Sequence, residues 1–264
     1  MTGKRNLVFV EGLPASGKSS LSQLINVSQP ESRWFHELQP DSPLYVLLDE
    51  VPGNKFRWRE LNEAFVNLKV DKSLVFDSRL WLNVIFPALL YGEGKSTILE
   101  SISANLNAVL SANPRVILLK NGDVKTDGLK AIYKRNPDPH YFLRRLEVSE
   151  YGKRLKSWDI VGEAAMVHFW SEVYGFMELA YDALNCEKIK IDVSRHPWES
   201  VEKTAFDFLG LKHKTQNDQL YAKEYLSRYS GFFVNRKGEN IEISEAGNCL
   251  NIVGFKGSKF PWDR

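Results

Sequence analysis

Leu7-Val8-Phe9-Val10-Glu11-Gly12-Leu13-Pro14-Ala15-Ser16-Gly17-Lys18-Ser19-Ser20 is the stretch that decides how this chain folds. Its first four residues are an apolar, β-prone run, the pattern of a parallel strand buried on both faces. Gly12 to Ser19 match G-x-x-x-x-G-K-[ST] at every position. Leu21, Leu24 and Ile25 follow at helical spacing. The order is therefore strand, glycine loop, helix. Glycines let such a loop curl so that successive N–H groups face inward around phosphate oxygens. The helix N-terminus behind it adds a partial positive charge. Gly12, Leu13, Pro14, Ala15, Ser16, Gly17, Lys18, Ser19 and Ser20 form the expected phosphate-binding set, with ATP as the nucleotide. Lys18 would reach the β- and γ-phosphates, and the Ser19 hydroxyl would ligate Mg2+.

Beyond this loop the pattern alternates. Leu44–Leu48 reads as a second strand ending in Asp49-Glu50, after a proline-containing connection over 29–43. Ser73–Phe76 reads as a third strand ending at Asp77, Val116–Leu119 as a fourth and Lys188–Val193 as a fifth. Helical patterns lie between them, over Arg57–Leu68, Leu80–Leu90, Thr126–Arg135 and Tyr141–Lys156. A stripe from Ile98 to Leu110 and a longer one from Ile160 to Leu184 repeat every three or four residues. A closing helix spans Trp198–Leu209. Strands alternating with helices predict a doubly wound α/β fold around a five-stranded parallel sheet, and the Gly12–Ser19 motif makes the expected three-layer fold one of the P-loop NTPase type. After Leu211 the composition changes to short β-prone runs, Phe232–Val234, Ile241–Ile243 and Leu250–Val253. The expected organisation is residues 1–211 as the P-loop domain and 212–264 as a small C-terminal β meander that packs on it as an accessory.

The chain has 264 residues, with 35 Lys and Arg against 33 Asp and Glu. The net charge of +2 gives no global signal for nucleic-acid binding. At 43% hydrophobic and 26% charged residues the composition is that of a folded domain, not a disordered chain. Cys186 and Cys249 are too few for a disulfide framework and fit no metal-ligand spacing. No run reaches the roughly 18 apolar residues a membrane helix needs, and Met1–Asn6 begins no signal peptide. These features predict a cytoplasmic protein without a membrane, and leave room for a homodimer.

Two further elements carry chemistry. Leu74-Val75-Phe76-Asp77 is an apolar strand ending in a carboxylate, and Asp77 can hold Mg2+ directly or through water. The basic cluster Lys130, Lys134, Arg135, Arg144 and Arg145 suits a lid that clamps phosphates during transfer. Arg135 is the candidate within it, at a helix–loop junction beside Asn136-Pro137. Trp58, Phe65 and Trp81 can stack a base or serve the core.

The loop, the element Leu47-Leu48-Asp49-Glu50-Val51-Pro52 with Trp58 soon after, and Phe76-Asp77-Ser78-Arg79-Leu80 resemble the deoxynucleoside kinase and thymidylate kinase group over roughly residues 5–210. The resemblance implies a general base at the end of the second strand. Glu50, followed by Val-Pro, takes that place, and its neighbour Asp49 is the alternative. It also implies a metal-linked carboxylate and an arginine after the third strand, here Asp77 and Arg79, with Ser78 between them. The expected function is an ATP- and Mg2+-dependent phosphotransferase acting on a small acceptor, a nucleoside or nucleotide by resemblance. The alternative is a nucleotide-dependent regulatory or binding protein whose loop senses ATP or GTP. The catalytic set expected is Lys18, Glu50, Arg79 and Arg135.

Overall fold

The computed structural model describes residues 7–29, 31–37, 39, 41–45, 58–135, 140–212, 231–234, 240–246 and 249–253; for 134, 135 and everything beyond 212 only the backbone path is described. The chain divides into two units, Met1–Lys212 and His213–Arg264.

In the first unit, β1 (Leu7–Gly12), β2 (Arg33–Phe35), β3 (Leu74–Asp77), β4 (Pro114–Lys120) and β5 (Glu187–Asp192) form one sheet in the order β2-β3-β1-β4-β5. Every pair is parallel. Successive side chains alternate between the two faces of a strand, and both faces here are dry. Leu7 and Phe9 join one apolar cluster with Phe76, Val116 and Leu118. Val8 and Val10 join the other with Val75, Ile117 and Leu119. On the second face, α1 (Lys18–Val27) contributes Leu21 and Ile25, and α9 (Trp198–Leu209) contributes Val201, Ala205 and Phe206. On the first face lie α2 (Trp58–Val66), α3 (Leu82–Leu90), α4 (Lys95–Val109) and the long α8 (Gly162–Ala183). Helices thus cover both sides of a five-stranded parallel sheet, the three-layer arrangement read from the alternation.

The second strand lies elsewhere than expected. β2 is Arg33–Phe35, inside the stretch read as a connection, and Leu44 and Tyr45 lie outside any strand; residues 46–50 lie outside the described ones. Three residues at a sheet edge, only the last of them buried, carry no periodic signal. Phe35 supplies the anchor. Its ring stacks on Phe76 at 5.1 Å, which stacks on Phe9 at 5.3 Å, tying β2, β3 and β1 through one column.

The basic helical pattern after Tyr141 also breaks in two, α6 (Tyr141–Val148) and α7 (Glu150–Ser157). Ser149 is extended and accepts the Gly152 N–H at 3.0 Å, capping α7 in place of continuing α6. A side chain at position 152 would run into the Leu146 carbonyl, so glycine permits the sharp bend. Before α5 (Leu129–Arg135), Val124–Gly128 form a single π-helical turn capped by Asp123, where a continuous helix was expected from Thr126. The aromatics of α8 are core: Trp170 and Phe169 pack with Phe86 and Tyr151. Phe65 and Trp81 are likewise fully buried.

In the second unit, β6 (Gly231–Val234), β7 (Asn240–Ala246) and β8 (Cys249–Val253) form an antiparallel sheet in sequence order, the expected meander. The helical turn expected over Tyr221–Tyr229 lies outside the described residues.

Candidate functional site: the phosphate loop and the end of β3

β1 is the central strand, so the loop that leaves it opens at the carboxyl edge of the sheet, where open α/β sheets bind ligands. Gly12 has φ +152°, and a Cβ there would come within 2.6 Å of the Leu119 carbonyl oxygen and the Ser16 hydroxyl. Only glycine lets the chain leave β1 so close to β4. Ala15 holds a left-handed conformation at φ +66°. Leu13 is buried in the core and pins the loop from beneath. Gly17 caps α1, so the first helical residues are Lys18, Ser19 and Ser20. Lys18 is buried, and its ammonium donates to the Leu13 carbonyl at 3.0 Å. The Ser16 hydroxyl is buried without a partner.

Asp77 ends β3 in register with Val10, which places it beside the start of the loop. It is wholly buried, and neither carboxylate oxygen has a partner of hydrogen-bond geometry. Burial holds its pKa above the usual carboxylate range, and Glu37 adds to this; Lys18, the Ser19 hydroxyl and His36 pull it back. His36 Nε2 stands 3.7 Å from Asp77 Oδ2. The next residue, Ser78, is left-handed at φ +57°, and its N–H donates to Val10 O at 3.0 Å. Arg79 is buried, with its Nε unpartnered and its guanidinium 5.1 Å from the Tyr45 ring centre. Its Nη2 reaches the His36 carbonyl at 3.5 Å. Burial lowers its pKa, opposed by Glu37, Tyr45, Asp77 and Glu11.

The structure therefore brings together Lys18, Ser19, Asp77 and Arg79 from the expected set. Glu50 and Asp49 lie outside the described residues, and Arg135 ends α5 with only its backbone described. Arg145 lies against the Phe86 ring at 5.1 Å and the Tyr141 ring at 5.4 Å. Three residues joined to the site had no role assigned from the sequence. His36 and Glu37 follow the true β2, and misplacing that strand hid them. Glu11 is a wholly buried acid at the end of an apolar strand, a signal visible in Val10-Glu11-Gly12.

A hard cation such as Mg2+ is commonly held by one or two carboxylates with substrate phosphates and water. Asp77, a wholly buried carboxylate whose oxygens make no close hydrogen bond to the backbone, and the neighbouring Ser19 hydroxyl fit that donor set. Among the described residues no cluster of three His, Cys, Asp or Glu could hold a metal by itself.

The strand order and a G-x-x-x-x-G-K-S loop between β1 and α1 define a P-loop NTPase fold. No protein-family model matches the chain, and no curated protein matches it in sequence. Among solved structures it is similar to the Bacillus subtilis YorR protein in complex with phosphorylated GDP, at 13% identity over 78% of this chain and 96% of that one, with a TM-score of 0.43. It is similar to deoxyadenosine kinase from M. mycoides with bound dATP, at 16% identity over 77% and 99%, TM-score 0.42. It is also similar to thymidylate kinase from Candida albicans, at 14% identity over 80% and 96%, TM-score 0.43. The fold assignment rests on this chain's own sheet and loop. Among the described residues no helix is long and apolar enough to cross a membrane.

Proposed function

We propose that residues 1–211 are an ATP- and Mg2+-dependent phosphotransferase acting on a small acceptor, a nucleoside or a nucleotide, with residues 212–264 as an accessory segment. The observation that carries this reading is the turn at the end of β3. It presents a wholly buried carboxylate and a buried arginine with an unpartnered Nε beside the phosphate loop. A loop that only holds a Mg2+-nucleotide uses the carboxylate but has less use for a buried arginine beside it.

In this reading Ser19 and Asp77 hold Mg2+, which supplies neutralisation of phosphate charge. Loop N–H groups and Lys18 orient the β- and γ-phosphates and oppose the charge that develops on the transferring group. Arg79 would hold the acceptor or its phosphates, and Arg135, at the end of α5, would join the clamp. A hydroxyl acceptor needs a carboxylate within hydrogen-bond reach to take its proton. Glu50 is the carboxylate expected for that role. Glu37, whose charge acts on both Asp77 and Arg79, is a further candidate among the described residues.

The test is a panel of nucleosides and nucleoside monophosphates incubated with γ-labelled ATP and Mg2+. Transfer of label to one acceptor class is expected. Slow hydrolysis without any acceptor, accelerated by a protein partner, would replace this reading with the regulatory one.

A further inference from the structure

Glu11 has no part in the chemistry described so far, yet it is a fully buried acid one residue before the phosphate loop. Its two oxygens face a segment some seventy residues further along the chain. Leu80 N–H donates to Oε1 at 2.6 Å and Leu82 N–H to Oε2 at 3.2 Å, and the Trp81 N–H lies against the same carboxylate. These are N–H groups at the start of α3, which a helix cannot satisfy internally. The residue in the N-cap position, Trp81, makes no side-chain cap. Glu11 supplies the cap from another strand.

The geometry has a consequence for Asp77 and Arg79. Asp77 is the last residue of β3, and Arg79 sits in the short turn that leads from it to α3. That turn is tied to β1 on one side by the Ser78 N–H on Val10 O and on the other by the two bonds to Glu11. Ser78 holds a left-handed conformation that a non-glycine residue keeps only when its surroundings enforce it. β1 runs directly from Glu11 into Gly12, so the same strand end sets both the phosphate loop and the turn.

We propose that Glu11 is a positioning residue: by gripping the Leu80 and Leu82 N–H groups it holds the Asp77–Arg79 turn in place against the phosphate loop and so keeps Asp77 ready for the cation. The proposal rests on the reading of Asp77 as a Mg2+ ligand. Burial raises the Glu11 pKa to about 7, while the backbone donors and Lys18 favour the charged form. Such a cost is tolerated where the carboxylate's two acceptors are both used.

The experiment is calorimetric binding of ATP, with and without Mg2+ and in the absence of any acceptor, to the full chain and to Glu11→Gln and Glu11→Asp. Gln keeps the size but offers one acceptor. Asp keeps the charge but is too short to reach both N–H groups. Both variants are expected to bind Mg2+-free ATP as the parent does and to lose about tenfold or more of the affinity that Mg2+ adds, the range for groups that orient a metal ligand. If both keep the full Mg2+ effect, or if Asp keeps it and Gln loses it, position is not what Glu11 supplies and the proposal falls. Should neither variant fold, hydrogen exchange on the parent chain decides: Leu80 and Leu82 amides are expected to exchange as slowly as those of β1, and exchange at free-peptide rates overturns the clamp. A parent chain that binds no ATP would instead refute the phosphotransferase reading, and the exchange measurement would still judge the clamp.

Discussion

The Lys18 ammonium donates to the Leu13 carbonyl at 3.0 Å, across the loop that the two residues delimit. The lysine is buried at this point and the loop itself supplies its acceptor. A phosphate arriving in the loop offers a charged oxygen in place of a neutral carbonyl, and hydrogen bonds to ionised acceptors are roughly twice as strong. The lysine is therefore stored next to its work, where its charge also favours the ionised forms of Asp77 and Glu11.

For Lys18→Ala the expected outcome is loss of phosphoryl transfer by about 100- to 1000-fold, the range for one preorganised donor in a charge-stabilising site. Stability should fall by about 1–3 kcal/mol, since the buried Leu13 carbonyl loses its donor and the buried Asp77 and Glu11 carboxyls lose a nearby positive charge. Steady-state kinetics at saturating ATP alongside thermal unfolding checks both. A parent-like rate would remove the loop from the chemistry.

Asp77→Asn should separate stability from function. The folded chain raises the Asp77 pKa above its unfolded value, so the folded state binds that proton more tightly. Stability then falls as pH rises above the unfolded pKa and levels off only above the folded one. A neutral amide of the same shape removes that loss. Without Mg2+ the variant is expected to melt higher than the parent at alkaline pH, while its Mg2+ requirement for activity rises about tenfold or more. A lower melting temperature with an unchanged Mg2+ requirement would contradict both halves.

Glu11 gives the clearest pH signature. Its pKa rises from 4.5 to about 7 on folding, so between those values the folded chain holds a proton that the unfolded chain has lost. Its contribution to stability is therefore favourable at low pH, declines from about pH 4.5 to about 7, and is flat above. Urea unfolding of the parent and of Glu11→Gln from pH 5 to 8 should show the difference between them changing over that window. Parallel curves would mean the carboxyl titrates normally.

Gly152→Ala tests the bend between α6 and α7. The added methyl meets the Leu146 carbonyl, so one of the two helices must shift. A loss of about 1–3 kcal/mol is expected, as for other overpacked sites. The phosphate loop belongs to other elements, so ATP affinity measured by calorimetry should hold. Unchanged stability would show that the helices relax freely.

Truncation after Leu211 removes the β6–β8 unit and leaves the whole five-stranded sheet and its loop. ATP binding should persist in the shortened chain. Its loss, with the sheet still folded by circular dichroism, would assign the C-terminal unit a direct part in the nucleotide site.

What the sequence determined by itself was whatever is local. The phosphate loop is one contiguous octapeptide whose turn, nest and helix start are set by neighbouring residues. The buried strands β1, β3 and β4 announce themselves as unbroken apolar runs because both faces of a parallel sheet are covered. The meander shows in the same way, as short runs between turns. Tertiary structure alone decided the rest. β2 is three residues at an edge, chosen because Phe35 can stack on Phe76, while the more apolar Leu44–Leu48 offered the stronger local pattern. With β2 misplaced, His36 and Glu37 could not be read as neighbours of Asp77. The bond from Glu11 to Leu80 spans 69 positions and that to Leu82 spans 71. No periodicity records such a pairing. It exists because the parallel register of β1 and β3 brings two strand ends to one edge of the sheet, where a buried carboxylate must find donors and the first turn of α3 has them to give.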